Sequence, residues 1–188
     1  MGLVASLFSK LFRRKEAKIL IVGFDGCGKT TILYQMKEGI KVDMVPTIGF
    51  NEETFKHKSV MLNIVDFRGI DKIKVFWRLH YDNLRGLIFV IDSTDHERNR
   101  EVVQSELELL VAEEQLSAVP FLILANKQDK PGATSPVELV QLLSLDALLD
   151  DRPWLIQPTC GLTGQGIIEA LDWLVDEAAK TKKKKLSK

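Results

Sequence analysis

Short apolar runs rich in β-branched residues recur along the chain at 18–23 (KILIVG), 59–66 (SVMLNIVD), 86–92 (GLIFVID), 120–126 (PFLILAN) and 154–159 (WLIQPT), each ending near a polar loop. Between them lie amphipathic stretches of helical length at 29–38, 97–115, 136–143 and 166–180. Continuous apolar strands alternating with helices predict an α/β fold, a mostly parallel sheet covered by helices. The segment 50–55 (FNEETF) alternates instead, and KHKS separates it from the run at 59–66, so these two are expected to pair as an antiparallel hairpin. In open sheets of this kind ligands bind beyond the carboxyl ends of the strands. The chemically suggestive residues fall there.

With 188 residues, 45% hydrophobic and 28% charged, the chain is an ordinary size and composition for one domain with a full core. Its 26 basic and 26 acidic residues balance overall but are segregated. Residues 1–18 hold five basic side chains against Glu16, and residues 176–188 hold six lysines against Asp176 and Glu177. Two basic ends on an acidic body fit an anionic membrane better than a nucleic-acid groove. Nucleic acid is not expected as a partner, and a monomer is. Cys27 and Cys160 lack metal-ligand spacing and read as reduced cytosolic thiols. No apolar run reaches the roughly 18 residues a bilayer span needs, and no signal-peptide cleavage pattern is present, so any membrane role is expected to be peripheral.

The sequence GFDGCGKT (23–30) follows a strand and opens a helix, the context a phosphate-binding loop requires. Consecutive amides of Asp25, Gly26, Cys27, Gly28, Lys29, Thr30 and Thr31 would wrap phosphate oxygens at a positive helix end. Lys29 would reach the β- and γ-phosphates, and the Thr30 hydroxyl would ligate Mg²⁺. Asp66 ends the next buried strand, where a carboxylate can hold the metal through water. Gly69, three residues later, can bring its N–H to a γ-phosphate because no side chain blocks the approach. NKQD (126–129) follows another buried run. Asp129 can accept from both N1–H and the N2 amino group of guanine, a donor pair adenine lacks, while Asn126 braces the loop and the Lys127 stem lies along the ring. TCG (159–161), with Cys160 and Gly161, can offer a backbone N–H to guanine O6.

Together with GKTTILY, PTIGFN, FWR, GLIFVIDSTD, ILANKQD, PTC and EALDWL, these motifs make the chain resemble the Ras-like small GTPases, and more closely the ADP-ribosylation factor (Arf) and Arf-like family, from Met1 to about Leu174. The resemblance implies a Ras-like P-loop GTPase fold: a six-stranded, mostly parallel sheet with helices on both faces, binding GTP or GDP with Mg²⁺. It also implies a guanine-nucleotide exchange factor and effector proteins as partners, a role in recruiting effectors to membranes in vesicle traffic, and Thr47 as a second hydroxyl ligand of Mg²⁺. An ATP-using P-loop kinase is disfavoured by NKQD and by the lack of a lid segment.

One working part is missing. The family's second switch reads Asp-x-Gly-Gly-Gln, whereas here it is Asp66-Phe67-Arg68-Gly69-Ile70. The glutamine orients the attacking water, and isoleucine has no polar atom with which to do so. An arginine finger contributes roughly 10³–10⁵ in rate, but only on a water that something else positions. The expectation is weak or absent intrinsic hydrolysis, poorly rescued by Arf-type activating proteins. The alternative is an active GTPase using Arg68 in cis or a partner-supplied group; the plainer reading of Arg68 is a solvated side chain. Asp71 matches an acidic residue common in the family. On the family's effector surface Phe50 keeps its aromatic position, while Val65 and His80 stand where tryptophan and tyrosine are usual.

The N-terminus, MGLVAS, fits myristoylation of Gly2. Leu3, Val4, Leu7, Phe8, Leu11 and Phe12 share one helical face, with Lys10, Arg13 and Arg14 largely off it. One myristoyl chain binds membranes only marginally, of order 10⁴ M⁻¹, so the apolar face and basic residues are the expected second signal. By resemblance this helix docks on the domain with GDP and is released with GTP, through a two-residue slip of the 50–65 hairpin that keeps each side chain on its own face. The expected organisation is an amphipathic anchor at 1–16, a nucleotide-binding domain at 17–179 and a flexible polybasic tail at 180–188. The expected location is cytoplasmic, reversibly on the cytosolic face of Golgi, other endomembranes or the plasma membrane.

Overall fold

Alternation along the interior strands decides how the helices are arranged. Leu20, Val22, Leu87, Phe89, Ile91, Phe121, Ile123 and Ala125 point into one core, and Ile19, Ile21, Ile88, Val90, Leu122 and Leu124 into another. Strands buried on both faces need helices on both faces. The computed structural model describes residues 15–38, 50–67 and 77–186. The strands are β1 (Lys15–Gly23), β2 (Phe50–His57), β3 (Val60–Phe67), β4 (Leu84–Asp92), β5 (Phe121–Asn126) and β6 (Trp154–Pro158). They form one six-stranded sheet in the order β2-β3-β1-β4-β5-β6, antiparallel between β2 and β3 and parallel elsewhere.

Helix α1 (Lys29–Glu38) and the C-terminal helix α5 (Ile167–Leu186) cover one face, through Ile32, Leu33 and Met36 and through Ile167, Leu171 and Leu174. On the other face, α2 (Gln104–Val111), α3 (Pro136–Leu142) and α4 (Leu145–Leu148) bring Leu107, Leu110, Leu139 and Leu145 into contact with the sheet. Each such side chain, fully buried, is worth about 1.5–3 kcal/mol of transfer free energy. Helix α3 starts with a capping box in which Ser135 and Glu138 satisfy each other's backbone N–H.

The expected α/β architecture and the hairpin are observed, with four differences. The hairpin strands extend through His57 and resume at Val60, so the turn narrows to Lys58, at φ 50°, and Ser59. The stretch 97–115 is not one helix. A turn at His96–Arg98 passes into a π segment, Asn99–Val103, then α2, then a 3₁₀ turn at Glu114–Leu116. Buried Asn99 donates its side-chain amide to Asp92 O at 2.9 Å, tying the π segment to the end of β4. Buried Arg152 donates to Val111 O, at the end of α2, and to Leu116 O beyond it, and stacks over the Phe121 ring. Helix α4 has only four residues, too few for a sequence period to register. Finally, α5 continues to Leu186, past the helix end expected at 180. Among the described residues no helix is long and apolar enough to cross a membrane.

The strand order places the carboxyl ends of β1, β3, β4, β5 and β6 along one rim of the sheet. From β1 the chain runs to β2 and β3 on one side and then crosses to β4 on the other, so the strand order reverses at β1, and the loop after β1 opens at the crevice where ligands of such sheets sit.

Candidate functional site at the strand ends

The loop after β1 is held tightly from two sides. Gly23 has φ 148°, and a Cβ there would meet Val90 O at 2.4 Å, so only glycine lets β1 end against β4. Gly28 has φ 98°, and a Cβ there would meet the Asn126 side-chain nitrogen at 2.4 Å. Cys27 N–H donates to Phe24 O, and Ile32 N–H to Gly28 O as α1 begins. Lys29 is buried and folds back across the loop, its Nζ donating to Gly23 O at 3.0 Å and Phe24 O at 2.9 Å. Two neutral carbonyls are weak partners for an ammonium, so a phosphate arriving at the loop has a cation ready for exchange. Burial pushes the Cys27 thiol up against the lowering influence of Lys29. Asp25 and Gly26 form the exposed tip, and Thr31 is half-buried in the first turn of α1.

Asp66 is fully buried on β3, in register with Ile21 of β1. Its Oδ2 accepts from the Thr30 hydroxyl at 2.6 Å, whereas Oδ1 has no hydrogen-bond partner among the described residues. Burial raises the carboxyl above its usual range, against the Thr30 hydrogen bond and the Lys29 charge. A buried carboxylate with one free oxygen beside a hydroxyl at a helix start is a hard-oxygen donor set, which fits Mg²⁺ retaining several of its waters. A cation there would also offset the desolvation that raises the carboxyl.

The loops after β5 and β6 are bonded to the loop after β1 and to one another. Asn126, buried, donates from Nδ2 to Cys27 O at 2.8 Å, and its Oδ1 accepts from Gly161 N–H at 2.9 Å and the Thr159 hydroxyl at 3.4 Å. One side chain therefore joins the ends of β1, β5 and β6. Lys127 takes φ 66°, and its ammonium donates to Asp92 Oδ2 at 2.6 Å. Burial acts to raise the Asp92 carboxyl, but hydrogen bonds from Lys127 and Thr94 outweigh it and hold the group below the usual carboxylate range. Asp129 is exposed. Cys160 N–H donates to Gln165 O, and Gly161 N–H is the one held by Asn126, so both amides expected at guanine O6 have partners within the chain.

Arg98 escaped sequence reasoning. Its guanidinium lies 5.4 Å from the Phe24 ring centre, donates to Asp25 O at 3.4 Å and pairs with Asp95 at 3.3 Å, which braces the tip of the phosphate loop. No local pattern announces it; its one structural marker is the π segment that follows, a feature concentrated at functional sites.

Of the effector-surface positions, Val65 is buried in the core and His80 sits half-buried in the turn before β4. Burial, helped by the Lys18 charge, lowers the His80 pKa, against the influence of Glu52. The hairpin is tied to both helices of its face, by Lys37 to Glu53 at 2.8 Å and by His57 and Lys58 to Asp172 at 2.6 and 3.0 Å. Gly2, Thr47, Arg68, Gly69, Ile70 and Asp71 lie outside the described residues, as do the N-terminal segment 1–14 and the side chains of Phe50 and of 181–188. A cavity of about 340 Å³ between Trp77, Tyr81 and Leu110 shares no residue with the loops after β1, β5 and β6.

A model of the ADP-ribosylation factor family, Arf, matches residues 4–178. Among solved structures, the Arl6 BBS3 small GTPase from Trypanosoma brucei, with the bound nucleotide analogue GppNp, is 36% identical to this chain; the match covers 89% of this chain and 99% of that one, at a TM-score of 0.83.

Proposed function

Because the chain belongs to the ADP-ribosylation factor family, whose members are GTP-binding switches, we propose that it holds GTP or GDP with Mg²⁺ at these strand ends, recruits effectors to membranes, and hydrolyses GTP weakly or not at all unaided. The observation that carries the nucleotide reading is Asn126, which bonds the phosphate loop at Cys27 and the third loop at Gly161 in a single unit.

In this reading Lys29 exchanges its two carbonyls for β- and γ-phosphate oxygens, and the loop amides from Asp25 to Thr31 close around the phosphates. Thr30 and Thr47 would hold Mg²⁺, with Asp66 acting through water; the metal, when bound, neutralises charge between the phosphates. Gly69 N–H reports the γ-phosphate to the second switch. Asp129 reads the guanine edge, Lys127 lines the base, and the 160–161 backbone faces O6 by sharing or exchanging its present acceptors. Hydrolysis needs a positioned water, and Ile70 has no group to position one.

Single-turnover hydrolysis of bound GTP tests the catalytic half. The parent is expected to retain GTP for hours and Ile70→Gln to speed hydrolysis. Rapid turnover that Arg68→Ala abolishes would instead mark a relocated catalytic group.

Gly2 acylation, the apolar face of 3–12 and the basic ends would hold the GTP form reversibly on anionic cytosolic membrane surfaces, at the Golgi, another endomembrane or the plasma membrane. An exchange factor would load GTP. Deleting residues 2–15 is expected to cut sedimentation of the GTP form with anionic liposomes severalfold, and undiminished binding contradicts the anchoring.

A further inference from the structure

The base-reading loop has an unequal distribution of support. Lys130 N–H donates to Lys127 O at 3.0 Å, closing a turn with Gln128 and Asp129 at its two central positions. Asp129 is exposed, and no intrachain hydrogen bond or ion pair of its carboxylate is found among the described residues. Gln128 is the opposite. Its side-chain Nε2 donates to Ser93 Oγ at 2.8 Å and to Thr134 O at 3.0 Å, and its backbone N–H donates to Thr159 O at 3.1 Å. These acceptors sit past the ends of β4 and β6 and ahead of α3. The ring of contacts is closed by Thr134 N–H to Ser93 O at 2.8 Å, and His96 Nδ1 lies 3.0 Å from Thr134 Oγ1. Ser93 is fully buried, so the Gln128 amide meets a fixed acceptor rather than a mobile surface group.

We propose that Gln128 is the positioning residue for guanine recognition: by stapling the turn to Ser93, Thr134 and Thr159 it sets the direction in which the otherwise unsupported Asp129 carboxylate presents itself to the base. The inference rests on the guanine reading of Asp129. A carboxylate that accepts two parallel hydrogen bonds discriminates only if its plane is fixed, because a swinging carboxylate satisfies one donor as readily as two. The chain fixes it from the neighbouring residue, leaving every acceptor lone pair of Asp129 for the ligand. Gln128 touches no substrate atom in this account. It acts through Asp129.

The test uses the full-length chain and dissociation constants for GDP, ADP and inosine diphosphate, which keeps N1–H but lacks the N2 amino group. Gln128→Met preserves length and removes both donors; Gln128→Lys restores a donor. The parent is expected to prefer GDP over both competitors. Gln128→Met is expected to lower the GDP-to-inosine-diphosphate preference about tenfold, the scale of one charge-assisted hydrogen bond, and Gln128→Lys to recover part of it. Ser93→Ala, which removes one acceptor and leaves Gln128 in place, is expected to give a smaller loss and guards against a Gln128 variant that fails to fold. A merely structural role would weaken both nucleotides by one factor, and an unchanged preference in Gln128→Met and Ser93→Ala overturns the proposal. A parent that binds ADP as tightly as GDP overturns the guanine reading itself, which is a distinguishable result.

Discussion

The two halves of the site stand at different stages of completion. On the base side, Asn126, Lys127 and Gln128 each make side-chain hydrogen bonds within the chain, and the Asp129 carboxylate makes none among the described residues. On the phosphate side, Lys29 rests on two backbone carbonyls, and a buried oxygen of Asp66 has no partner among the described residues. The electrostatics follow the same division. Asp92, beside the base loop, is held below the usual carboxylate range, whereas Asp66 is pushed above it. An unmade hydrogen bond in a dry interior costs more than a made one contributes. On the proposed reading, the phosphate half would hold a deficit that a cation and a phosphate would remove, while the base half is already bonded as a template. That division would suit a switch, because the part proposed to sense the γ-phosphate would be the part whose own bonding changes when the ligand arrives.

Asn126→Ala should break the comparison, since it removes the one side chain common to both halves. Nucleotide affinity is expected to fall by about a hundredfold or more, because Cys27 O, Gly161 N–H and the Thr159 hydroxyl all lose their Asn126 partner, measured by competition with a fluorescent GDP analogue. A smaller effect comes from Asp66→Asn, which removes a desolvated charge from the phosphate half alone. The nucleotide-free, Mg²⁺-free protein is expected to be stabilised by about 1 kcal/mol in denaturant melts, while the Mg²⁺ dependence of GDP affinity is lost. The least effect is expected from Asp92→Asn on the base side. Because the folded Asp92 carboxyl lies below its unfolded value of about 3.9, its contribution is full above that value and is lost as pH falls through the folded one. The variant should flatten the acid limb of a stability-against-pH curve measured by thermal melting and leave the limb above neutrality unchanged.

Most of the template was legible because it is written in local patterns. Buried strands appear as unbroken apolar runs, and GFDGCGKT and NKQD carry their chemistry within a few residues. What escaped depends on contacts between distant segments or on elements too short to repeat. Gln128 looks like a filler between Lys127 and Asp129 until Ser93, Thr134 and Thr159 are brought around it. Arg98 reaches Phe24 and Asp25 across more than seventy residues of sequence. The π segment Asn99–Val103 and helix α4 span five and four residues, less than two helical turns, so no periodicity separates them from their surroundings. The amides of Cys160 and Gly161 were expected to face a base, but a sequence cannot show that Gln165 and Asn126 already accept from them.

Hydrogen exchange compared between the nucleotide-free and the GDP·Mg²⁺-loaded protein tests the division most directly. The account predicts that peptides spanning 23–30 and 64–66 gain more protection than those spanning 126–129 and 159–161, which are already bonded without ligand. Equal or greater gains in the base loops would contradict it, because the template would then be made by the nucleotide rather than by the chain.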